Sequence, residues 1–286
     1  MTIKKSKWCD LMYGLISVFF LIQAPIALAE QIRVAVASNF IFPIKELSKE
    51  FENTTGNKVL VISGSTGKLY AQIHQGAPFE VFLAADSKRP ELLEKEGIGV
   101  PGSRFTYAVG RLVMWSADPK FITTFGLQVL DQKNYRYLAI ANPKTAPYGK
   151  ATEQVLRKKG YWEKIQSRLV RGENISQTLQ FVVTGNAQIG FISLSQLSSS
   201  RELLGGTSWL VPLSLHEPIQ QQAILLKRAK ANKLALEFIN FLQNKRTKKI
   251  IDQTSYFPES IFFITSSLII FDNQENKIFI VVNKKK

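Results

Sequence analysis

At 286 residues with 45% hydrophobic composition, the chain is long enough for one large or two small domains with a real core. Its formal charge of +15 gives a surface that attracts anions, but no dense Arg/Lys run interleaved with aromatics accompanies it, which argues against nucleic acid. The one cysteine, Cys9, lies near the N-terminus, so the rest of the chain excludes disulfides, a cysteine nucleophile and thiolate metal sites.

The first segment reads as a secretory leader. Lys4, Lys5 and Lys7 precede an apolar stretch from Leu11 through Leu21 to Ala24, closed by Ala27-Leu28-Ala29. The apolar run falls short of the roughly 20 residues that a membrane span needs. Residues 1–29 are therefore expected to be removed by cleavage near Ala29, with the mature chain exported to the periplasm. A thiol-free mature chain suits that oxidising compartment.

From Gln31 onward, strand-like and helix-like segments alternate. Gln31 to Ala37 predicts a buried strand. A helix follows from about Pro43, with Ile44, Leu47 and Phe51 on one face and Gly56 as its stop. Lys58 to Ile62 predicts a strand, Leu69 to His74 a short helix, Glu80 to Ala84 a strand, and Arg89 to Glu96 a helix closed by Gly97. Phe105 to Trp115 reads as a strand pair or one long bent strand. Tyr137 to Ala141 predicts a strand, Gly149 to Lys159 and Ile175 to Val183 helices, Gln188 to Ile192 and Gln222 to Leu226 strands, and Ala231 to Gln243 a last helix.

This alternation predicts α/β layers around mostly parallel sheets. No internal repeat or low-complexity linker is visible. Two domains without a Pro/Gly-rich boundary suit a chain that crosses between them twice, around residues 109 and 219.

Four strand–helix junctions carry small polar residues: Ser38-Asn39, Gly64-Ser65-Thr66-Gly67, Ala146-Pro147-Tyr148-Gly149, and Asn174-Ile175-Ser176, where Asn174 reads as an N-cap. A helix start presents unpaired N–H groups and a partial positive charge, which suits an anion, and in open α/β sheets ligands sit beyond the carboxyl ends of the strands. Singly, each junction is an ordinary cap; their repetition points to an anion site.

Other chemistry is sparse. Gly64-Ser65-Thr66-Gly67-Lys68 fails as a nucleotide loop, because Ile62 and Leu69 occupy positions that require glycine and Ser/Thr. The two histidines, His74 and His216, read as a surface residue and a loop residue. His216-Glu217 lacks a third metal ligand at useful spacing. No G-x-S-x-G elbow supports a hydrolase. The expectation is a binding protein, with no catalytic residues, no metal ligands and no cofactor.

Several segments resemble the periplasmic molybdate-binding proteins of ABC transporters: VAVASNF (34–40), SGSTGKLYAQIHQGAPFEVFLAAD (63–86), PGSRFTYAVGRLVMWS (101–116), ANPKTAPYG (141–149), TGNAQIGFISLSQ (184–196) and EPIQQQAILL (217–226). The resemblance covers roughly residues 31–258. It implies a two-lobed periplasmic binding protein fold of type 2, with mixed, mostly parallel sheets flanked by helices and a ligand cleft between lobes. The lobes would be residues 30–108 with 219–258, and residues 109–218. It implies a monomer that captures molybdate or tungstate and hands it to a membrane permease. Binding positions fall on Ser38, Asn39, Thr66 (with Ser65 adjacent), Tyr148 and Ile175. A tyrosine used by some relatives falls on Ser193. Receptors for sulfate or phosphate, a secreted hydrolase and a non-binding copy are the alternatives. After Pro258 the chain departs from the family. The tail, residues 259–286, carries the apolar run Ile261 to Phe271, too short for a span, and reads as an added hairpin around Asp272 to Asn276 or as the product of a frameshift or a lost stop codon.

Overall fold

A computed structural model describes residues 29–122, 126–132, 134–199, 205–253, 267–272 and 277–282. Residues 1–28 of the expected leader lie outside the described residues.

Two five-stranded sheets organise residues 31 to 225. The first is built from β1 (Gln31–Ala37), β2 (Lys58–Gly64), β3 (Val81–Ala84), β4 (Phe105–Gly110) and β10 (Ile219–Leu225), in the order β2-β1-β3-β10-β4. The second is built from β5 (Leu112–Ser116), β6 (Leu138–Ala141), β7 (Leu169–Gly172), β8 (Ile189–Ser193) and β9 (Thr207–Leu210), in the order β7-β6-β8-β5-β9. Both repeat one plan: three neighbouring parallel strands, then an antiparallel strand contributed by the crossing chain, then an edge. The sheets are thus more evenly mixed than the sequence pattern predicts.

The helices follow the apolar spacing. In α1 (Ile41–Thr55), Ile44, Leu47 and Phe51 are buried, and Gly56 ends the helix at φ +72°. A left-handed residue at that point is cheap only for glycine. The next helices are α2 (Thr66–His74), α3 (Lys88–Lys95), α4 (Pro147–Lys158), α5 (Ile175–Val183), α6 (Leu194–Ser199), α7 (Lys233–Gln243) and α8 (Lys245–Gln253).

Each sheet is covered on both faces. Ile32, Val34 and Val36 of β1 pack with α1 and α7, where Phe51 meets Phe238 edge-on at 5.1 Å. Ala35 and Phe82 pack with Leu69 and Ile73 of α2 on the other face. In the second sheet Met114, Leu138, Ile140 and Phe191 pack with Val155 and Leu156 of α4, and Val113, Trp115 and Ile192 with Leu179 and Val182 of α5. Alternate residues of one strand serve opposite faces, which is why these strands read as nearly continuous apolar runs.

The chain passes from the first sheet to the second through one residue, Arg111, between Gly110 and Leu112. The Phe105 to Trp115 segment is therefore two strands in different sheets. The chain returns between Leu210 and Ile219. Beyond α8, β11 (Ser267–Asp272) and β12 (Lys277–Val282) form an antiparallel hairpin outside both large sheets, with Asp272 opposite Lys277. Among the described residues, no helix is long and apolar enough to cross a membrane.

Candidate functional site

The four polar junctions meet where the two lobes face each other. The carboxyl ends of β1 and β2 lie side by side, because Ala37 pairs with Gly64. Ser38 and Asn39 then form a short 3-10 turn leading into α1, and Ser65 and Thr66 begin α2. From the second lobe, Tyr148 is the second residue of α4, after Pro147 at its first position, and Ile175 is the first residue of α5. Ser38, Asn39, Ser65, Thr66, Tyr148 and Ile175 are each less than 5% exposed.

Hydrogen bonds tie these elements across the lobes. Ser176 Oγ donates to the Ser38 carbonyl at 3.1 Å, and Ser195 Oγ to the Asn39 carbonyl at 3.1 Å. The Gly67 N–H donates to the Thr145 carbonyl at 2.8 Å. At the surface, Lys68 pairs with Glu173 at 3.0 Å, and Arg89 reaches the Lys144 carbonyl at 3.4 Å. This is a closed arrangement, in which the main chains of the two lobes touch.

Inside, the polar groups are neutral donors with few protein acceptors. Asn174 Oδ1 caps α5 by accepting from the N–H groups of Ser176 and Gln177, each at 3.0 Å, as its sequence position predicts. The N–H of Ile175 lies outside that cap. Thr66 Oγ1 accepts from the Ala85 N–H at 3.1 Å and keeps its own proton to donate. Ser65 Oγ, on the residue preceding α2, is buried with no hydrogen-bond partner among the described residues. The resemblance implies a hydroxyl contact at Thr66, with Ser65 adjacent; both hydroxyls are buried, Thr66 with its proton still to donate and Ser65 with no bond among the described residues. Ser193, the position of a relative's tyrosine, is buried in bonds to Ser195 Oγ and Gln196 Oε1. Gln221, on β10, lies beside Asn39: Asn39 Nδ2 donates to Gln221 Oε1 at 2.7 Å. Nothing in the sequence singled this glutamine out of the run Gln220-Gln221-Gln222.

Apart from Arg111, the charged side chains nearby stand at the border rather than among these donors. A pocket of about 310 Å³ adjoining Ala85 and Ala146 is lined by Asp86, Arg89, Lys150 and Glu217, which pair as Arg89–Asp86 and Lys150–Glu217. Arg111, at the crossover, donates to the Val211 carbonyl at 3.4 Å. Burial pulls its guanidinium down to about 10, opposed by the Tyr148 side chain, so it stays charged at neutral pH. A buried positive charge near Tyr148 favours an anion there. No group of three or more metal-ligating side chains occurs among the described residues.

The histidines differ from each other. His74 is exposed beside Glu96, as expected of a surface residue. His216 is buried, with Nδ1 2.7 Å from the Glu217 carbonyl, so Nδ1 carries the proton and donates. Burial holds its imidazole below the ordinary histidine range; the Glu217 carbonyl opposes this and the Arg111 charge adds to it. The unfolded chain therefore binds this proton more readily than the folded one. The stability contributed is complete above the unfolded pKa of about 6.5 and is lost as pH falls below it. Thermal melting is expected to show a lower midpoint at pH 5.5 than at 7.5, with the difference reduced in His216→Gln. An unchanged difference in that variant would refute the assignment.

Comparisons with known proteins agree with this architecture. The family model described as bacterial extracellular solute-binding protein matches residues 32–256. The molybdate-binding protein ModA of Azotobacter vinelandii is 50% identical over 230 residues, covering 80% of this chain and 91% of that protein. ModA of Rhodobacter capsulatus is 44% identical over 233 residues, covering 82% and 90%. The solved Azotobacter vinelandii periplasmic molybdate-binding protein superposes with a TM-score of 0.76 at 38% identity, over 79% of this chain and 99% of that one. Two lobes closing on a buried set of neutral donors, and a match over nearly all of the lobed region, place the chain in the bacterial extracellular solute-binding protein family, among its molybdate-binding members.

Proposed function

We propose that this chain captures molybdate or tungstate outside the cytoplasm and presents it to the membrane permease of an ABC importer. The observation that carries the reading is the meeting of four helix starts from the two lobes, with buried neutral polar groups among which Ser65 Oγ has no hydrogen-bond partner among the described residues. A tetrahedral dianion supplies acceptors in several directions at once. Preorganised neutral donors hold such a charge well when water is excluded. Discrimination from sulfate then rests on the size of the space, because both anions share charge and shape.

The ligand set we propose is Ser38, Asn39, Thr66, Tyr148 and Ile175, extended by Ser65. Lobe I comprises residues 30–108 and 219–258, and lobe II residues 109–218, with Arg111 at the hinge. The chain acts as a monomer in the periplasm after cleavage near Ala29, as a binding protein without catalysis or cofactor. The identity to molybdate-binding relatives supports the ligand class and the importer. Titration calorimetry with molybdate, tungstate, sulfate and phosphate tests it. Molybdate and tungstate are expected to bind far more tightly; sulfate binding as tightly as molybdate would overturn the specificity.

Three variants test the site. Tyr148→Phe and Thr66→Ala are expected to weaken binding by about 1–3 kcal/mol each, the usual cost of leaving a charged partner short of a hydrogen bond. Thr66→Ala also strips the Ala85 N–H of its acceptor and should lower the melting temperature. Ser65→Ala removes a hydroxyl that bonds nothing among the described residues, so it should cost affinity and leave the ligand-free melting temperature unchanged. Wild-type affinity in all three would refute the assignment.

A further inference from the structure

Gln221 is fully buried on β10, the strand that returns the chain to the first lobe. Its carboxamide is fixed at one end. Oε1 accepts from Asn39 Nδ2 at 2.7 Å and lies 3.2 Å from the Tyr107 hydroxyl, whose single proton it shares with the Ala84 carbonyl at 3.1 Å. The short bond from Asn39 sets which way the amide is turned. Nε2, with two N–H groups, is buried with no partner among the described residues. An unpaired buried donor is costly and calls for an explanation.

The backbone explains where this amide is aimed. Successive residues of β10 face opposite sides of the sheet: Gln222 bonds Thr106 and Arg104, while Gln221 turns to Asn39. The register of β10 with β4 steps from Gln221–Ala108 to Gln222–Thr106, so the extra residue is Tyr107 on β4. A bulge re-aims a side chain and is frequent beside functional sites; here it carries the Tyr107 hydroxyl to 3.2 Å from Gln221 Oε1. A methyl group on Gly110 would lie 2.9 Å from Gln221 Nε2 and 2.2 Å from the Tyr148 hydroxyl. Nε2 of lobe I and the hydroxyl of lobe II therefore face the same point of the hinge, and only glycine leaves room for both.

We propose that Gln221 is a positioning residue of the oxyanion site: it holds the Asn39 amide from behind and directs its own N–H groups to the junction with Tyr148, so that the closed hinge and the donor set are fixed together. This rests on the oxyanion-binding reading given above. It makes Gln221 a determinant of affinity although it lies outside the donor set inferred from sequence.

The test is calorimetry with sodium molybdate on the full chain, comparing the unaltered protein with Gln221→Glu and Tyr107→Phe. Gln221→Glu keeps an acceptor for Asn39 and Tyr107 but replaces the donor by a negative charge. At pH 8 its affinity should fall at least 100-fold, and the deficit relative to the unaltered protein should shrink as pH falls to 6 and the new carboxyl gains a proton. Taking the ratio at each pH cancels the titration of His216 and of the anion. The other titratable or charged groups facing this region are the Tyr107 and Tyr148 hydroxyls and the Arg111 guanidinium, which stays charged at neutral pH. A role limited to filling space would lower affinity equally at every pH. Tyr107→Phe, which removes one donor from Oε1 and adds no charge, should cost roughly three- to tenfold and serves if Gln221→Glu fails to fold. A pH-independent ratio, or wild-type affinity in either folded variant, overturns the proposal. Failure of the unaltered chain to bind molybdate or tungstate would instead sink the oxyanion reading, and this proposal with it.

Discussion

Gly67→Ala is expected to lower molybdate affinity on the order of ten- to 100-fold while leaving the melting temperature of the ligand-free chain nearly unchanged. An added Cβ would lie 2.9 Å from the Thr145 carbonyl oxygen, 3.0 Å from the Thr145 α-carbon and 3.0 Å from Arg89 Nη2. The Arg89 side chain can move aside. Thr145 cannot: its N–H bonds the Asn142 carbonyl at 3.2 Å, and its carbonyl already accepts the Gly67 N–H. Because Gly67 belongs to lobe I and Thr145 to lobe II, the clash exists only when the lobes are closed. Overpacking of this kind costs about 1–3 kcal/mol, charged here entirely to the closed state, and 1.4 kcal/mol is tenfold in affinity. Lobe separation would also stretch the bonds from Ser176 to Ser38 and from Ser195 to Asn39. Lys68→Met is the natural control. It removes the exposed ion pair to Glu173, which at the surface is worth about 0–1 kcal/mol, so its effect should stay within a few-fold. Calorimetry on both variants decides. If Gly67→Ala bound as well as the unaltered chain, main-chain contact between the lobes would not be part of the bound state.

What the sequence made legible follows from how each feature is encoded. β1 and α5 match their predicted bounds, because a run of apolar residues from Val34 to Ala37 with Ile32 before it, and an Asn cap, are local signals. The edge strands β7 and β9 gave no signal. Leu169, Val170 and Arg171 are partly or fully exposed, and an edge strand is defined by the neighbour it bonds rather than by its own pattern. The shared plan of the two sheets was invisible for the same reason: it is a repeat of topology, not of residues. The helix starts of the candidate site were readable as caps and turns, yet the choice between Ser65 and Thr66 depends on which hydroxyl Ala85 already occupies, nineteen residues away. Gln221 was hidden within a run of three glutamines, since its partners Asn39 and Tyr107 lie far away in sequence and no local pattern marks the glutamine that reaches them. In the tail, a hairpin was one of the readings open from sequence, and β11 pairs with β12 there.

Gly149→Ala is expected to damage both the fold and the site. Gly149 is the third residue of α4, and the helix start is pressed onto the end of β6: a Cβ there would lie 2.3 Å from the Ala141 carbonyl oxygen, 2.7 Å from its carbon and 2.8 Å from the carbonyl carbon of Asn142. All three are main-chain atoms. The turn they belong to is bonded on both sides, with the Asn142 N–H on the Gly172 carbonyl at 2.8 Å and the Ala146 N–H on the Asn142 carbonyl at 2.9 Å. β6 is the central parallel strand of its sheet, paired with β7 and β8, so it cannot recede. The helix must lift instead, taking Tyr148 with it and opening the layer where Ala151, Val155 and Leu156 meet Leu138 and Ile140. The destabilisation should be at the upper end of the roughly 1–3 kcal/mol typical of overpacking, a fall of about 5–10 °C in melting temperature for a protein of this size. Unlike Gly67→Ala, this variant should therefore lose stability without ligand as well as affinity with it. Melting curves in the absence and presence of molybdate separate the two cases. A Gly149→Ala chain that melts like the unaltered one would mean that α4 can shift on β6 at no cost, and that this close helix–strand contact does not position Tyr148.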